Sequence, residues 1–229
     1  MNLLTIDTST STCSVALTHD EELRAELLLA GGPTLTSRLL ASVDTVLQGG
    51  GMAVAGLDGL AVALGPGSFT GLRVGVAAVK GLALASGKPV VGFSSLAMLA
   101  LNLPWAVHPV CPMFDARKKE VYAALYRCRE LPEEILPDCV APPERFLGQL
   151  EGPTIFVGEG ALRYRELILD ILGDNAIFAP SHAHQPRAAA GAQLARVAFA
   201  AGAAVPLPLL NPAYIRPSEA EMAKAQQKI

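Results

Sequence analysis

Positive charge is in short supply in this 229-residue sequence, which has 18 Lys and Arg against 21 Asp and Glu and a formal net charge of −3. A protein that binds nucleic acid without a partner usually carries a basic stripe or patch, so the composition argues against independent RNA or DNA binding. Cysteine is scarce too, and the four cysteines include no Cys-x-x-Cys pair. We therefore expect reduced thiols, and neither a disulfide framework nor a zinc site.

Long apolar runs are also lacking. The longest apolar stretches are interrupted by Lys80, by Asn102 and Pro104, and by Arg196, and none reaches the ~20 residues of a membrane-spanning helix. The first ten residues, MNLLTIDTST, contain no basic segment followed by an apolar one and so predict no signal peptide. We expect a cytoplasmic protein that does not associate with a membrane.

What the sequence does contain is an alternation of strand and helix patterns, which is typical of the α/β class. The stretch FDARKKEVYAAL (114–125) repeats the order found in IDTSTSTCSVAL (6–17): an apolar strand end, an aspartate, a polar turn and a second strand. An internal repeat of this kind indicates a duplicated unit. We expect an N-terminal lobe over residues 1–103 and a C-terminal lobe over residues 104–229, which ends in an extended tail.

The stretch ALGPGSFTGLRVGVAAVKGLA (63–83) has two interpretations. A glycine turn before a helix can bind phosphate through backbone N–H groups and the helix dipole, whereas Gly71 and Gly75 inside the helix permit close packing. A dinucleotide fingerprint would need a third glycine where Thr70 stands, and no P-loop motif occurs. Each glycine within a helix lowers stability by about 0.5–1 kcal/mol relative to alanine. A helix with two glycines is therefore expected to regain that stability through close packing, either on a helix of the same chain or on another chain.

Several motifs together resemble the TsaB family, formerly called YeaZ. The matching pieces span nearly the whole chain: Asp7-Thr8-Ser9-Thr10, GPGSFTGLRVGVAAVKGLA, KPVVGFSSL, FDARKKEVYAALY, VGEGA and YIRPSEAE. The resemblance implies an actin/Hsp70-like ATPase fold with two duplicated lobes, each a mixed β-sheet flanked by helices. It implies a non-catalytic scaffold in bacterial tRNA N6-threonylcarbamoyladenosine synthesis, which supports the catalytic subunit TsaD beside the ATPase TsaE. Contact with tRNA is then expected only through the complex.

The resemblance also implies a surface for protein partners. In TsaB-like proteins the N-terminal lobe contacts TsaD or a second copy of itself, as a heterodimer or a homodimer. Carried over to this sequence, that contact is predicted to involve Leu39, Val43, Phe69, Gly71, Leu72, Arg73, Gly75 and Val76.

Nucleotide and metal binding are the next implications. In actin-like folds the aspartate after the first strand and the hydroxyls of the next turn face the phosphates, and a later glycine turn takes the adenosine. The matching residues are Asp7, Thr8, Ser9, Thr10, Gly158 and Gly160. Weak ATP or ADP binding at these positions stays open beside a plain polar hairpin turn and an ordinary strand-to-helix turn. The two metal-binding histidines of TsaD match Ser95 and Leu99, which are poor ligands, so we predict no metal site and no catalytic residue.

Two other functions compete with the scaffold. An actin-fold small-molecule kinase or ATPase would need a general base facing the phosphates, for which Asp115 is the candidate, although Asp115 before Arg117, Lys118 and Lys119 also fits a solvated turn. A glycoprotease-like peptidase would need a serine with a base within reach. No G-x-S-x-G motif occurs and no histidine lies near the serine-rich turns.

Overall fold

The structure, a computed structural model, describes residues 1–30 and 35–216, and these residues form two five-stranded mixed sheets. The first sheet has the order β3-β2-β1-β4-β5 and consists of β1 (Asn2–Asp7), β2 (Thr12–His19), β3 (Glu22–Ala30), β4 (Gly59–Gly65) and β5 (Val90–Ser94). The second has the order β10-β9-β6-β7-β8 and consists of β6 (Val110–Asp115), β7 (Val121–Cys128), β8 (Pro132–Ala141), β9 (Thr154–Val157) and β10 (Ala176–Phe178).

The two sheets have the same topology, which confirms the duplication. In each, three antiparallel strands are followed by two strands that add in parallel beside the first. Asp7 ends β1 and Asp115 ends β6, and each accepts a hydrogen bond on Oδ1, at 3.0 Å, from the backbone N–H two residues later. This aspartate turn fixes the bend after the strand, and its presence in both lobes explains the repeat in the sequence.

Helices α1 (Leu35–Gly49) and α2 (Phe69–Ser86) cover the outer face of the first sheet. The sequence itself delimits α2: the Ser68 side chain accepts from the Gly71 N–H as an N-cap, and Gly87 ends the helix in the left-handed conformation. The second sheet has α4 (Pro143–Leu147), α5 (Glu159–Arg163) and α6 (Arg165–Leu172) on one face.

The inner face of each sheet is covered by a helix that belongs, by sequence order, to the other lobe. Helix α3 (Ser95–Ala100) follows the first sheet in sequence but packs chiefly on the second, whereas α7 (Ala188–Ala200) follows the second sheet and packs on the first. First-sheet side chains hold the start of α7: Ser14 Oγ accepts from the Ala188 N–H at 2.8 Å, and the Glu26 carboxylate accepts from the Ala189 N–H at 3.1 Å. The predicted lobe boundary between residues 103 and 104 therefore falls between the two sheets. It places α7 in a different lobe from the first sheet, and α3 in a different lobe from the second.

By length and composition, α2 is the one helix among residues 1–30 and 35–216 that could cross a membrane. Core helices of globular proteins have the same composition, and α2 makes the contacts of a core helix. Leu72, Val76 and Val79 are buried in the chain, and Gly71 and Gly75 face the end of β1.

Candidate functional site

The predicted phosphate turn, Asp7–Thr10, lies beneath the start of α2 and is closed to solvent. Asp7, Thr8 and Ser9 are buried, and Thr10 is half-buried. The Thr8 hydroxyl donates to the Gly71 carbonyl at 2.7 Å, and the Ser68 N–H donates to the Ser9 carbonyl at 2.6 Å. The Thr8 hydroxyl and the Ser9 carbonyl are thus bonded to the start of α2, whereas Asp7 Oδ2 and Ser9 Oγ are buried without a hydrogen-bond partner.

Three glycines make this contact possible. A Cβ atom added at Gly71 would lie 2.0 Å from the Thr8 carbonyl oxygen, and one at Gly75 would lie 2.4 Å from Thr8 Oγ1. A Cβ at Gly67 would lie 2.2 Å from the Ser9 carbonyl oxygen. We call Thr8, Ser9, Gly67, Gly71 and Gly75 the glycine-packed turn. Packing is therefore the use of these glycines, but they pack on the turn after β1 rather than on a second helix.

The remaining predicted nucleotide residues lie in the other lobe. Gly158 and Gly160 are pressed against the backbone of β6, where an added Cβ would lie 2.3 Å and 2.9 Å respectively from the Met113 carbonyl oxygen. The Gly158 N–H donates to His184 Nδ1 at 3.0 Å. A phosphate site needs accessible N–H groups, whereas Asp7, Thr8 and Ser9 are buried and the Gly158 N–H is engaged. Weak ATP or ADP binding by these residues therefore stays a prediction, and it would require the turn after β1 to open.

Burial raises the pKa of the Asp7 carboxyl to about 6, although hydrogen bonds from Ser9 and Thr8 favour the ionised form. The folded-state pKa lies above the ordinary value, so stability from this group is fully present below about pH 4 and is lost as the pH rises through about 6.

We expect Asp7→Asn, which resembles the neutral acid, to raise the free energy of unfolding by up to about 3 kcal/mol above pH 7. Near pH 4 the gain should vanish. Urea denaturation across this range measures it, and a gain independent of pH would contradict the assignment.

Asp115, the candidate base of the kinase hypothesis, is neither a free base nor part of a fully solvated turn. Its carboxylate is largely buried, and Oδ2 lies 3.3 Å from the Arg117 guanidinium and 3.2 Å from that of Arg163. Two guanidinium groups therefore neutralise it. Arg117, Lys118 and Lys119 are exposed and all have positive φ values, so the turn itself lies at the surface although Arg117 pairs with Asp115.

The positions that match the TsaD histidines are buried in α3. Ser95 and Leu99 are both closed to solvent, and Leu99 packs in the core of the second lobe. Within residues 1–30 and 35–216, no three His, Cys, Asp or Glu side chains cluster in a way that could hold a metal ion.

Two polar groups outside the predicted site residues connect separate segments of the fold. Buried His184 accepts from the Gly158 N–H and donates through Nε2 to the Ala179 carbonyl at 3.0 Å. The Asp138 carboxylate accepts from Ser94 Oγ and from the Tyr126 hydroxyl, each at 2.6 Å, which joins the end of β5 to the second sheet. No motif marks these residues, because the contacts with Gly158 and Ser94 join segments that are distant in sequence.

The predicted partner residues divide into buried and exposed groups. Leu39, Val43 and Val76 belong to the core beneath α1 and α2. Leu72 is buried beside Gly65 at the end of β4, and Gly71 and Gly75 belong to the glycine-packed turn. Phe69 and Arg73 are exposed. Spacings of three or four residues keep side chains on one side of a helix, and the exposed Ala77 and Leu84 continue this side of α2. On the adjoining helix α1, Leu40 is exposed. We call the resulting surface the α1–α2 face: Leu40, Phe69, Arg73, Ala77 and Leu84.

Comparisons with known proteins agree over almost the whole chain. The family model described as TsaD, tRNA N6-adenosine threonylcarbamoyltransferase, matches residues 33–224. The tRNA threonylcarbamoyladenosine biosynthesis protein TsaB of Bacillus subtilis is 33% identical over 225 residues, which cover 96% of each chain.

Solved structures give the same result. YeaZ from Pseudomonas aeruginosa superposes with a TM-score of 0.82 at 31% identity, covering 93% of this chain and 99% of that one. Component A of (R)-2-hydroxyglutaryl-CoA dehydratase from Acidaminococcus fermentans shares only the fold, with a TM-score of 0.53 at 13% identity over 87% of this chain and 99% of that one. The two lobes thus have the actin/Hsp70-like ATPase fold that the sequence predicts.

Proposed function

Because the chain belongs to the TsaB family, we propose that it works in bacterial tRNA N6-threonylcarbamoyladenosine synthesis as a subunit that binds and supports the catalytic enzyme TsaD. The observation that carries this proposal is the similarity over 96% of the chain to a protein named for that pathway. Nothing in the closed turn after β1 or in the ion-paired Asp115 favours a kinase or ATPase instead.

The α1–α2 face is the proposed docking surface for TsaD. It exposes Leu40 by 59% and Leu84 by 75%, with the small Ala77 between the two larger groups of α2. A helix pair with an apolar exposed side can bury that side against a second helix pair. The family model of the catalytic subunit matches this chain, so the partner is expected to present a related lobe. The same face accounts for a homodimer when TsaD is absent.

The other expected partners follow from the same complex. TsaE is proposed to join the TsaD-bound form, and tRNA is proposed to be held chiefly by the other subunits, since the net charge of this chain is −3. Cytoplasmic localisation is part of the proposal, because the tRNA substrate and the other subunits of the complex are expected there.

Deletion of the gene in its native bacterium tests the function. We expect threonylcarbamoyladenosine to disappear from, or fall sharply in, hydrolysed tRNA analysed by mass spectrometry, and a plasmid copy to restore it. If the gene is essential, depletion from a regulated promoter serves the same purpose. An unchanged level of the modified nucleoside after complete loss of the protein would contradict the proposal.

A further inference from the structure

The segment after α7 returns to the start of α2. Leu210 is fully buried in the first core, and the Ala213 N–H donates to the Leu64 carbonyl at 2.8 Å. A Cβ at Gly65 would lie 2.9 Å from the Ala213 carbonyl oxygen, and Gly65 has a φ of +123°. Glycine at position 65 therefore lets the segment lie against the end of β4. We call residues 210–216 the C-terminal strap.

Tyr214 of the strap contacts the two exposed side chains at the start of α2. Its ring lies 4.9 Å from that of Phe69, centroid to centroid, at an angle of 31°. The Arg73 Nε–H donates to the Tyr214 hydroxyl at 2.9 Å, and the Arg73 guanidinium carbon lies 3.9 Å above the Phe69 ring. The three side chains form one stack, which we call the Phe69–Arg73–Tyr214 cluster.

The far end of the strap is fixed on the second lobe. Arg216 donates through Nη1 to the Ala116 carbonyl at 2.6 Å and forms an ion pair with Glu120. Tyr214 is thus anchored from both directions, by the Ala213–Leu64 hydrogen bond before it and by Arg216 after it. An anchored aromatic ring restricts the side chains that stack on it.

The cluster also lies at one end of the α1–α2 face, since Phe69 and Arg73 belong to both. Long exposed side chains lose conformational freedom when a partner binds them, and restraint before binding reduces that loss. Tyrosine and arginine are enriched among the residues that dominate binding at protein interfaces. The geometry therefore gives Tyr214 a role that its own sequence position, 141 residues after Arg73, does not suggest.

We propose that Tyr214 is a positioning residue of the partner surface, which holds Phe69 and Arg73 in the arrangement that the TsaD subunit binds. This inference rests on the proposed function. The matching partner surface is an apolar helix that carries a carboxylate. The carboxylate would pair with the Arg73 guanidinium, and the apolar side chains would pack on the Phe69 ring beneath it. Tyr214 itself is 40% exposed and contributes part of the contact area.

The test measures affinity for purified TsaD from the same organism by titration calorimetry. Tyr214→Phe removes only the hydroxyl that accepts from Arg73, and we expect it to weaken binding about threefold, whereas Tyr214→Ala should weaken it at least tenfold. Tyr164→Phe is the matched control, since Tyr164 also lies near an arginine but on the second lobe, and it should bind like the wild type. Circular dichroism melting should be unchanged for Tyr214→Phe.

A double-mutant cycle separates positioning from a merely structural role. In an Arg73→Gln background, Tyr214→Phe should have no further effect on affinity, because the hydrogen bond that it removes is already absent. Additive effects, or wild-type affinity for Tyr214→Ala, would overturn the inference while leaving the proposed function intact. If wild-type chain and TsaD do not bind each other, the proposed function fails and the inference fails with it.

Discussion

Replacing Gly71 with alanine is expected to destabilise the chain by at least about 3 kcal/mol, the upper part of the range for an overpacked core. The added Cβ would lie 2.0 Å from the Thr8 carbonyl oxygen, and a backbone atom in the buried turn after β1 cannot rotate away as a side chain can. Relief requires α2 to move off the turn, which would break the bond from the Thr8 hydroxyl to the Gly71 carbonyl. Urea denaturation followed by circular dichroism measures the loss.

Gly81 of the same helix provides the matched control. A Cβ at that position has no atom within 4 Å outside its neighbours, so Gly81→Ala should stabilise the protein by about 0.5–1 kcal/mol through helix propensity alone. Opposite signs for the two substitutions are the expected result. Equal effects at both positions would mean that the glycine-packed turn does not hold α2.

Replacing Ala77 with arginine is expected to weaken binding to TsaD at least 100-fold, or about 2.7 kcal/mol. Ala77 is exposed at the middle of the α1–α2 face, between Arg73 and Leu84. An arginine there would hold two helix pairs apart and would bury a charge without a partner. The folded monomer should be unaffected, because the side chain points into solvent. Affinity measured by titration calorimetry tests this.

Ala200→Arg controls for the added charge and bulk. Ala200 is also an exposed helical alanine, but it lies at the end of α7, on the other face of the first sheet. We expect this variant to bind TsaD like the wild type. Loss of binding by both variants would indicate a non-specific effect of charge, and full binding by Ala77→Arg would remove TsaD from this face.

The duplication was predictable because it leaves a local mark. An aspartate turn needs only an aspartate at the end of a strand and a free N–H two residues later, so Asp7 and Asp115 stand in similar short patterns. The capping of α2 by Ser68 and of α3 by Ser94 is local in the same way. Features that depend on neighbouring residues are the ones that the sequence reveals.

Two of the edge strands, β3 and β8, were not predictable by pattern. Strand β3 is largely exposed and carries Glu22, Arg24 and Glu26, so its alternation of apolar residues is weak. Strand β8 contains Pro132 and Pro137, which argue against a strand except at the edge of a sheet. Both strands are fixed by pairing with the preceding strands β2 and β7 rather than by an alternating pattern of their own.

The candidate site was only partly predictable, for a related reason. Helical spacing identified the side of α2 that bears Gly71 and Gly75, but the nature of the packing partner, the turn at Thr8, depends on the tertiary fold. The same spacing could not separate Leu72 and Val76, which face the sheet, from Phe69 and Arg73, which face solvent. Tyr214 was missed because its contacts, Phe69 and Arg73, lie far from it in sequence.

Reconstituted threonylcarbamoyl transfer to tRNA tests the central claim most directly. With TsaD, TsaE, threonylcarbamoyl-AMP and tRNA present, addition of this chain should raise product formation strongly, the Ala77→Arg variant should fail to do so, and the chain without TsaD should form no product. Equal product with and without the chain, or transfer by the chain in the absence of TsaD, would contradict the account.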